Sequence, residues 1–204
     1  MKRINVLLRD IPFTMQNDAP WAGVDAGVKG LLDADIPVEK AYGDFDSVTE
    51  ADLKLFKKNL SLNIVPSAKN FTDSELALLS LAELGYTAID VYGALDGRKD
   101  HELMNIQLLA HEELRDIDIR LLNETNEIIL LTEGEYILQA DYDKKYVSFI
   151  PLYDDTLLTL EGFKYDLEDT YVSIGKTLTV SNEFKEKNVV INTDKDILMI
   201  KSTD

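Results

Sequence analysis

The apolar pattern of this chain changes period near Asn126, and that change limits the folds open to it. Up to about residue 125, short apolar runs alternate with stretches of helical spacing. Ile4-Asn5-Val6-Leu7-Leu8 reads as a strand, and Ala88-Ile89-Asp90-Val91-Tyr92 as another that ends at Gly93. Between them, Ser74 to Leu84 sets Leu76, Leu79, Ala82 and Leu84 at helical spacing, with Gly85 as a stop. A second helix is expected from about His101 to Leu114 and a further strand over Ile117 to Leu122. Strands alternating with helices predict an α/β domain with a largely parallel sheet over residues 1–125.

Beyond Asn126 no stretch keeps a helical period for three turns. Short β-rich runs follow instead: Tyr136-Ile137-Leu138, Tyr146 to Ile150, Leu157 to Leu160, Thr177 to Val180, Val189-Val190-Ile191 and Ile197 to Ile200. Breaks such as Tyr153-Asp154-Asp155, Glu161-Gly162 and Asn192-Thr193-Asp194 separate them. A small antiparallel β-sandwich over residues 126–204 is the expectation.

Composition removes several function classes. With 45% apolar residues the chain can build a packed core, yet no run of about 18 apolar residues exists to span a bilayer. The first strand turns to Arg9-Asp10 before a signal-peptide core could form, so no membrane partner and a cytoplasmic location are expected. A net charge of −17, with no basic tract longer than Lys57-Lys58 or Lys144-Lys145, disfavours nucleic acid. No cysteine and only two histidines leave oxygen as the donor for any metal. An acidic chain can still hold a polyphosphate if a divalent cation lies between carboxylate and phosphate.

In an open α/β sheet, ligands collect beyond the carboxyl ends of the strands. Acids fall at such places here. Asp25 follows Trp21-Ala22-Gly23-Val24, with Gly27 expected to ease a turn; Asp44 and Asp46 follow Gly43 and would project to one side of an extended segment. Asp73 stands at a helix start, and Asp96, Arg98 and Asp100 occupy a loop between strand and helix, beside His101. Each also has a plainer reading. Thr72-Asp73-Ser74-Glu75 is a capping box, Asp100 can cap the helix that follows, and Asp44 to Ser47 can be a polar turn before a helix from Glu50 to Leu60. His111 fits a helix end, and its ten-residue spacing from His101 does not make a metal pair.

Three segments resemble the thiamin pyrophosphokinases. Gly43-Asp44-Phe45-Asp46-Ser47 is similar to that family's GDFDS, Thr72 to Leu78 to its TD-x-E-x-AL, and Gly93 to His101 to its arginine loop ending in DH. Phe149-Ile150-Pro151-Leu152, Leu160 to Tyr165 and Thr179 to Glu183 resemble its IPL, GLKY and TSN segments, so the likeness covers nearly the whole chain. The resemblance implies an α/β catalytic domain, a β-sandwich, and a homodimer with active sites between subunits. It implies ATP and thiamin as substrates, AMP and thiamin diphosphate as products, and magnesium as cofactor. Asp44, Asp46 and Asp73 would hold metal, with Asp25 and Asp100 completing an acidic wall; Arg98 would neutralise phosphate charge. Gly43, Ser47, Asp96 and His101 would border the nucleotide, while Tyr165, Thr179 and Ser181 would line the thiamin pocket, with Asn182 shaping the turn.

The chain departs from the family pattern at four places. Asn70 replaces an acid common before the TD pair, Asp96 a small residue, Asp25-Ala26-Gly27 an Asp-Gly-Gly, and Leu8-Arg9-Asp10-Ile11-Pro12 a glycine-bearing first loop. A thiamin- or nucleotide-binding regulatory protein of the same fold, weakened as a catalyst, is the alternative these departures raise.

Overall fold

The computed structural model describes residues 1–43, 70–95 and 97–204. The chain divides into two compact units, Met1–Glu124 and Thr125–Asp204.

In the first unit, β1 (Arg3–Leu7), β2 (Trp21–Val24), β3 (Val38–Tyr42), β4 (Ala88–Tyr92) and β5 (Asp118–Leu122) pair in the order β3-β2-β1-β4-β5. Every neighbouring pair is parallel. β2 and β4 are buried along their whole length, which is why β2 reads as a continuous apolar run and β4 as one interrupted only by Asp90. The described helices are α1 (Ala26–Asp33), α2 (Asp73–Glu83) and α3 (Lys99–Leu108). One apolar cluster joins Leu7, Trp21, Leu31, Tyr92 and Leu122, and Ile11 and Phe13 pack onto it from the segment between β1 and β2. The rings of Phe13, Trp21 and Tyr92 meet with centroids 4.9 to 5.6 Å apart.

A carboxylate is buried in this sheet. Asp90, fully shielded at the middle of β4, accepts from Arg3 Nη1 at 2.6 Å, Arg120 Nε at 2.6 Å and Nη2 at 2.5 Å, and Asn17 Nδ2 at 2.7 Å. Register accounts for the cluster. Asp90 stands opposite Arg120 on β5 and Asn5 on β1, and Arg3 lies two residues back on the same side of β1.

Two local expectations change. Asp25-Ala26-Gly27 opens α1 rather than a turn, and Gly27 permits it: a Cβ there would lie 2.0 Å from the Leu7 carbonyl oxygen, so only glycine lets the helix sit this close to β1. The helix expected to reach Leu114 ends at Leu108. Tight turns follow, with His111 N–H donating to Leu108, Leu114 to His111 and Ile117 to Leu114. They bury Leu109 and Leu114, the apolar residues whose spacing mimicked a longer helix. The helix expected over Glu50 to Leu60 lies outside the described residues.

The second unit holds β6 (Asn126–Leu131), β7 (Gly134–Gln139), β8 (Tyr146–Pro151), β9 (Thr156–Glu161), β10 (Leu167–Val172), β11 (Asn188–Thr193) and β12 (Ile197–Ser202). β6-β12-β8 form one antiparallel group and β10-β9-β11-β7 another. Their inward residues share a core: Leu131, Val147, Phe149 and Met199 from the first meet Leu158, Leu160, Val189 and Ile191 from the second. Phe163 packs edge-on against Phe149 at 5.6 Å.

The strand expected over Thr177 to Val180 is a single turn, in which Val180 N–H donates to the Thr177 carbonyl at 3.3 Å. Its Thr-apolar alternation has period two, but burial runs the other way: Thr179 is buried while Leu178 and Val180 are exposed. The threonine is tolerated inside because its Oγ1 donates to the Phe149 carbonyl at 2.5 Å. β10 was not expected, because Glu168-Asp169-Thr170 makes it polar; it is an edge strand with a register shift between Leu167 and Thr170.

Candidate active site

The strand order fixes where a ligand can enter the first unit. From β1 the chain builds β2 and β3 on one side, then returns to build β4 and β5 on the other, so β1 and β4 flank a topological switch point. A cleft of about 150 Å³ opens there. Leu8 and Arg9 enter it from the end of β1, Val24 and Asp25 from β2, and Gly93 from β4. Thr72, Asp73 and Ser74 come from the start of α2, and His101 and Asn105 from α3.

Asp25 is held in an unusual backbone state, with φ at 47°, between β2 and α1. Its N–H donates to the Tyr42 carbonyl at 2.9 Å and its own carbonyl accepts from Val28 at 3.1 Å, tying the β2 end to the β3 end. Gly43, with φ at 122°, lies against its carboxylate. Asp73 does not cap α2. Thr72 does, its Oγ1 accepting from Glu75 N–H at 3.2 Å, and this leaves Asp73 in the first turn at the cleft.

Arg98 and Asp100 meet each other rather than the cleft. Arg98 Nε and Nη2 donate to the two Asp100 oxygens at 3.1 and 2.5 Å, with both side chains largely exposed. The Arg98 guanidinium holds the Asp100 carboxyl down to about 2, helped by the N–H of His101, which donates to it at 3.1 Å. Arg98 occupies the cap position of α3, and Asp100 stands inside the first turn. Of the expected acidic wall, then, the structure brings Asp25 and Asp73 together with His101 and sets Asp100 against Arg98. Asp44, Asp46, Ser47 and Asp96 lie outside the described residues. Among the described residues no three carboxylates or imidazoles converge tightly enough to hold a metal ion.

Two cleft residues carry no motif. Asn105, nearly buried within α3, donates from Nδ2 to the Ala94 carbonyl at 3.1 Å and accepts at Oδ1 from Ser74 Oγ at 3.0 Å. It thereby ties the loop after β4 to the start of α2. Its signal in the sequence is one amide set among Leu103, Met104 and Ile106. Arg9 stands at a strand end, the position that drew attention to the acids, but as a cation.

In the second unit, Asn182 is a bracket. Its Nδ2 donates to the Tyr165 carbonyl at 2.8 Å, and its Oδ1 accepts from the N–H groups of Tyr165 and Glu183 at 3.0 and 2.9 Å. Its backbone exchanges two 2.9 Å bonds with Val147 on β8. The turn carrying Tyr165 is thus fixed while the ring itself is exposed. Thr179 and Ser181 do not share a strand face: Thr179 is buried, whereas Ser181 is exposed with φ at 59° and its N–H donates to Ser148 Oγ at 2.9 Å.

Comparison with known proteins agrees with this arrangement. Residues 13–121 match the family model for the thiamin pyrophosphokinase catalytic domain, and residues 135–198 that for the thiamin pyrophosphokinase vitamin B1 binding domain. The thiamine pyrophosphokinase of Bacillus subtilis is 39% identical over 214 residues, an alignment covering all of both chains. Its crystal structure superposes with a TM-score of 0.88 at 36% identity, again over 100% of each chain. A thiamin pyrophosphokinase family protein from Enterococcus faecalis gives 0.89 at 31% identity with the same coverage. The Candida albicans enzyme, at 17% identity and a TM-score of 0.85, shows the shared fold alone. The chain belongs to the thiamin pyrophosphokinase family of enzymes.

Proposed function

We propose that this thiamin pyrophosphokinase binds ATP in the cleft at the ends of β1, β2 and β4 and passes its terminal pyrophosphoryl group to the thiamin hydroxyl, releasing AMP. The observation that carries the site is the convergence of Asp25 and Asp73, from separate elements, at the switch point of a parallel sheet. The full-length identity to the Bacillus subtilis enzyme supports the reaction.

The cleft's donors suit magnesium. Two carboxylates, the hydroxyls of Thr72 and Ser74 and the Asn105 amide are oxygen-rich, hard ligands, with no sulfur among them. Asp73, together with Asp44 and Asp46, would hold the ion, with Asp25 beside them. When bound, magnesium supplies charge neutralisation for the phosphates and stabilises oxygens as the β-phosphorus is attacked. Without a cation, each carboxylate would repel each phosphate charge by about 1 kcal/mol at 4 Å even in water. The chain's own part is positional. Thr72 fixes the first turn of α2 beneath Asp73, Asn105 fixes the loop after β4 against it, and Gly43 leaves room for the Asp25 carboxylate.

Residues 1–125 form the nucleotide- and metal-binding domain in this reading, and 126–204 the thiamin-binding and dimerising domain. Tyr165 offers an exposed ring face to a cationic thiazolium or a pyrimidine. Thr179 Oγ1 spends its proton on Phe149, so toward thiamin it acts as an acceptor; Ser181 Oγ adds an exposed hydroxyl. The working form is a homodimer, acting in the cytoplasm. Among the described residues no helix is long and apolar enough to cross a membrane.

The test is product analysis with ATP, with and without thiamin and with and without magnesium. AMP and thiamin diphosphate should form together only when both are present, and Asp73→Asn should lower turnover while circular dichroism stays unchanged. AMP release that ignores thiamin, or an Asp73→Asn enzyme with full turnover, would sink the reading.

A further inference from the structure

Of the chain's arginines, Arg3 and Arg120 are committed to Asp90 and Arg98 to Asp100. Arg9 differs: it lines the cleft, and among the described residues its guanidinium has no ion pair or hydrogen bond. In a chain of net charge −17 that is an unusual state for a half-buried cation. Its root is fixed on both sides. Leu8 N–H donates to the Tyr92 carbonyl at 3.0 Å, pinning the residue before it to the end of β4, and Ile11 N–H donates to the Arg9 carbonyl at 3.0 Å. Arg9 therefore leaves the backbone at the switch point itself.

The loop after β4 is shaped to receive it. A Cβ at Gly97 would stand 1.6 Å from Arg9 Nη1 and 2.5 Å from Cζ, and one at Gly93 would stand 3.2 Å from Arg9 N and 3.3 Å from Arg9 Cβ. Both glycines also have positive φ, 79° at Gly93 and 92° at Gly97. The stem of Arg9 thus lies along Gly93 and its head along Gly97, and Arg9 borders the same cleft as Asp25 and Asp73 without being paired to a described carboxylate. A planar fork of donors in that position matches a phosphate, which it can grip with two parallel hydrogen bonds.

We propose that Arg9 is a phosphate-binding residue of the nucleotide site, gripping the polyphosphate of ATP from the β1 side of the cleft. The assignment rests on reading the cleft as the ATP site. It supplies a cation that does not have to be taken from Asp100, as Arg98 would have to be.

The test compares the full-length protein with Arg9→Met, which keeps an apolar stem over Gly93 and Gly97, and Arg9→Lys, which keeps the charge and loses the fork. KM for ATP, KM for thiamin and the binding of ATP and of adenosine in the absence of thiamin are measured on each. Arg9→Met should raise KM for ATP and weaken ATP binding by about tenfold or more, with adenosine binding and KM for thiamin within about twofold of wild type. Arg9→Lys should recover part of the loss. Unchanged ATP binding in Arg9→Met, or an equal loss for adenosine, overturns the proposal. So does a folding failure in Arg9→Met that lysine repairs, because a charge directed at a ligand is not needed to fold the empty protein. If the wild-type chain binds ATP but yields no AMP with thiamin, the reaction reading fails instead, and the ATP and adenosine comparison still decides the role of Arg9.

Discussion

A Cβ at position 43 would stand 2.0 Å from Oδ1 of Asp25 and 2.9 Å from its Cγ. Gly43 is therefore required by a neighbouring carboxylate as well as by its own φ of 122°. Gly43→Ala should displace the Asp25 carboxylate and lower kcat/KM for ATP, on the order of a hundredfold if the displacement approaches 1 Å. The backbone strain should add about 1–3 kcal/mol of destabilisation. A double-mutant cycle with Asp25→Ala separates the two effects. The stability cost of Gly43→Ala should shrink when the Asp25 side chain is absent, and an equal cost in both backgrounds would refute the clash.

Asn105 joins Ala94 and Ser74 through both ends of its amide. Asn105→Ala leaves a hydroxyl and a carbonyl without their partner in a nearly buried place, costing about 1–3 kcal/mol. Because those partners belong to the loop after β4 and the start of α2, kcat should fall as well. Denaturation midpoints and steady-state kinetics on Asn105→Ala and Asn105→Gln check this; full turnover in the alanine variant would show that the bracket serves stability alone.

The fold was legible where periodicity was enforced by burial on both faces or on alternate faces. β4 is apolar at every position but Asp90 because the strand is buried along its whole length, and β9 alternates because Leu158 and Leu160 face a core while Leu157 and Thr159 do not. It was illegible where a side chain satisfied itself locally. Thr179 looks like strand chemistry but is buried by one hydrogen bond to Phe149, and Leu109 to Leu114 looks helical but turns every three residues. At the site, motif residues mark Asp25 and Asp73, which the structure does gather. Arg9 and Asn105 were invisible because their roles depend on glycines and hydroxyls distant in the chain, at Gly97 and Ser74.

Asp90 gives a contrasting case of a functional-looking acid. It sits mid-strand, away from the carboxyl ends, with two guanidiniums and an amide satisfying it. Asp90→Ala should strand those groups and destabilise the protein by about 3 kcal/mol, the lower end of the range for breaking a buried pair, since both arginines are partly exposed. KM values of the folded fraction should not move. Urea titration read beside steady-state kinetics tests the separation, and a raised KM for ATP with unchanged stability would contradict it.

Arg98 must choose between Asp100 and a phosphate, and that choice is open to titration. In the free protein the guanidinium holds Asp100 at about 2, below its ordinary value of 3.8. A depressed carboxyl contributes stability that is present above the ordinary pKa and is lost as pH falls from about 4 toward about 2. The stability difference between wild type and Arg98→Gln should therefore be largest above pH 4, shrink across that window and vanish below it. It should also weaken with salt, because both side chains are exposed. If Arg98 moves to the nucleotide, a non-hydrolysable ATP analogue should raise the Asp100 midpoint in a carboxyl-carbon NMR titration, as Arg98→Gln should in the free protein. A midpoint that stays near 2 with the analogue bound would mean that Arg98 keeps Asp100 as its partner, leaving the phosphates to other cations.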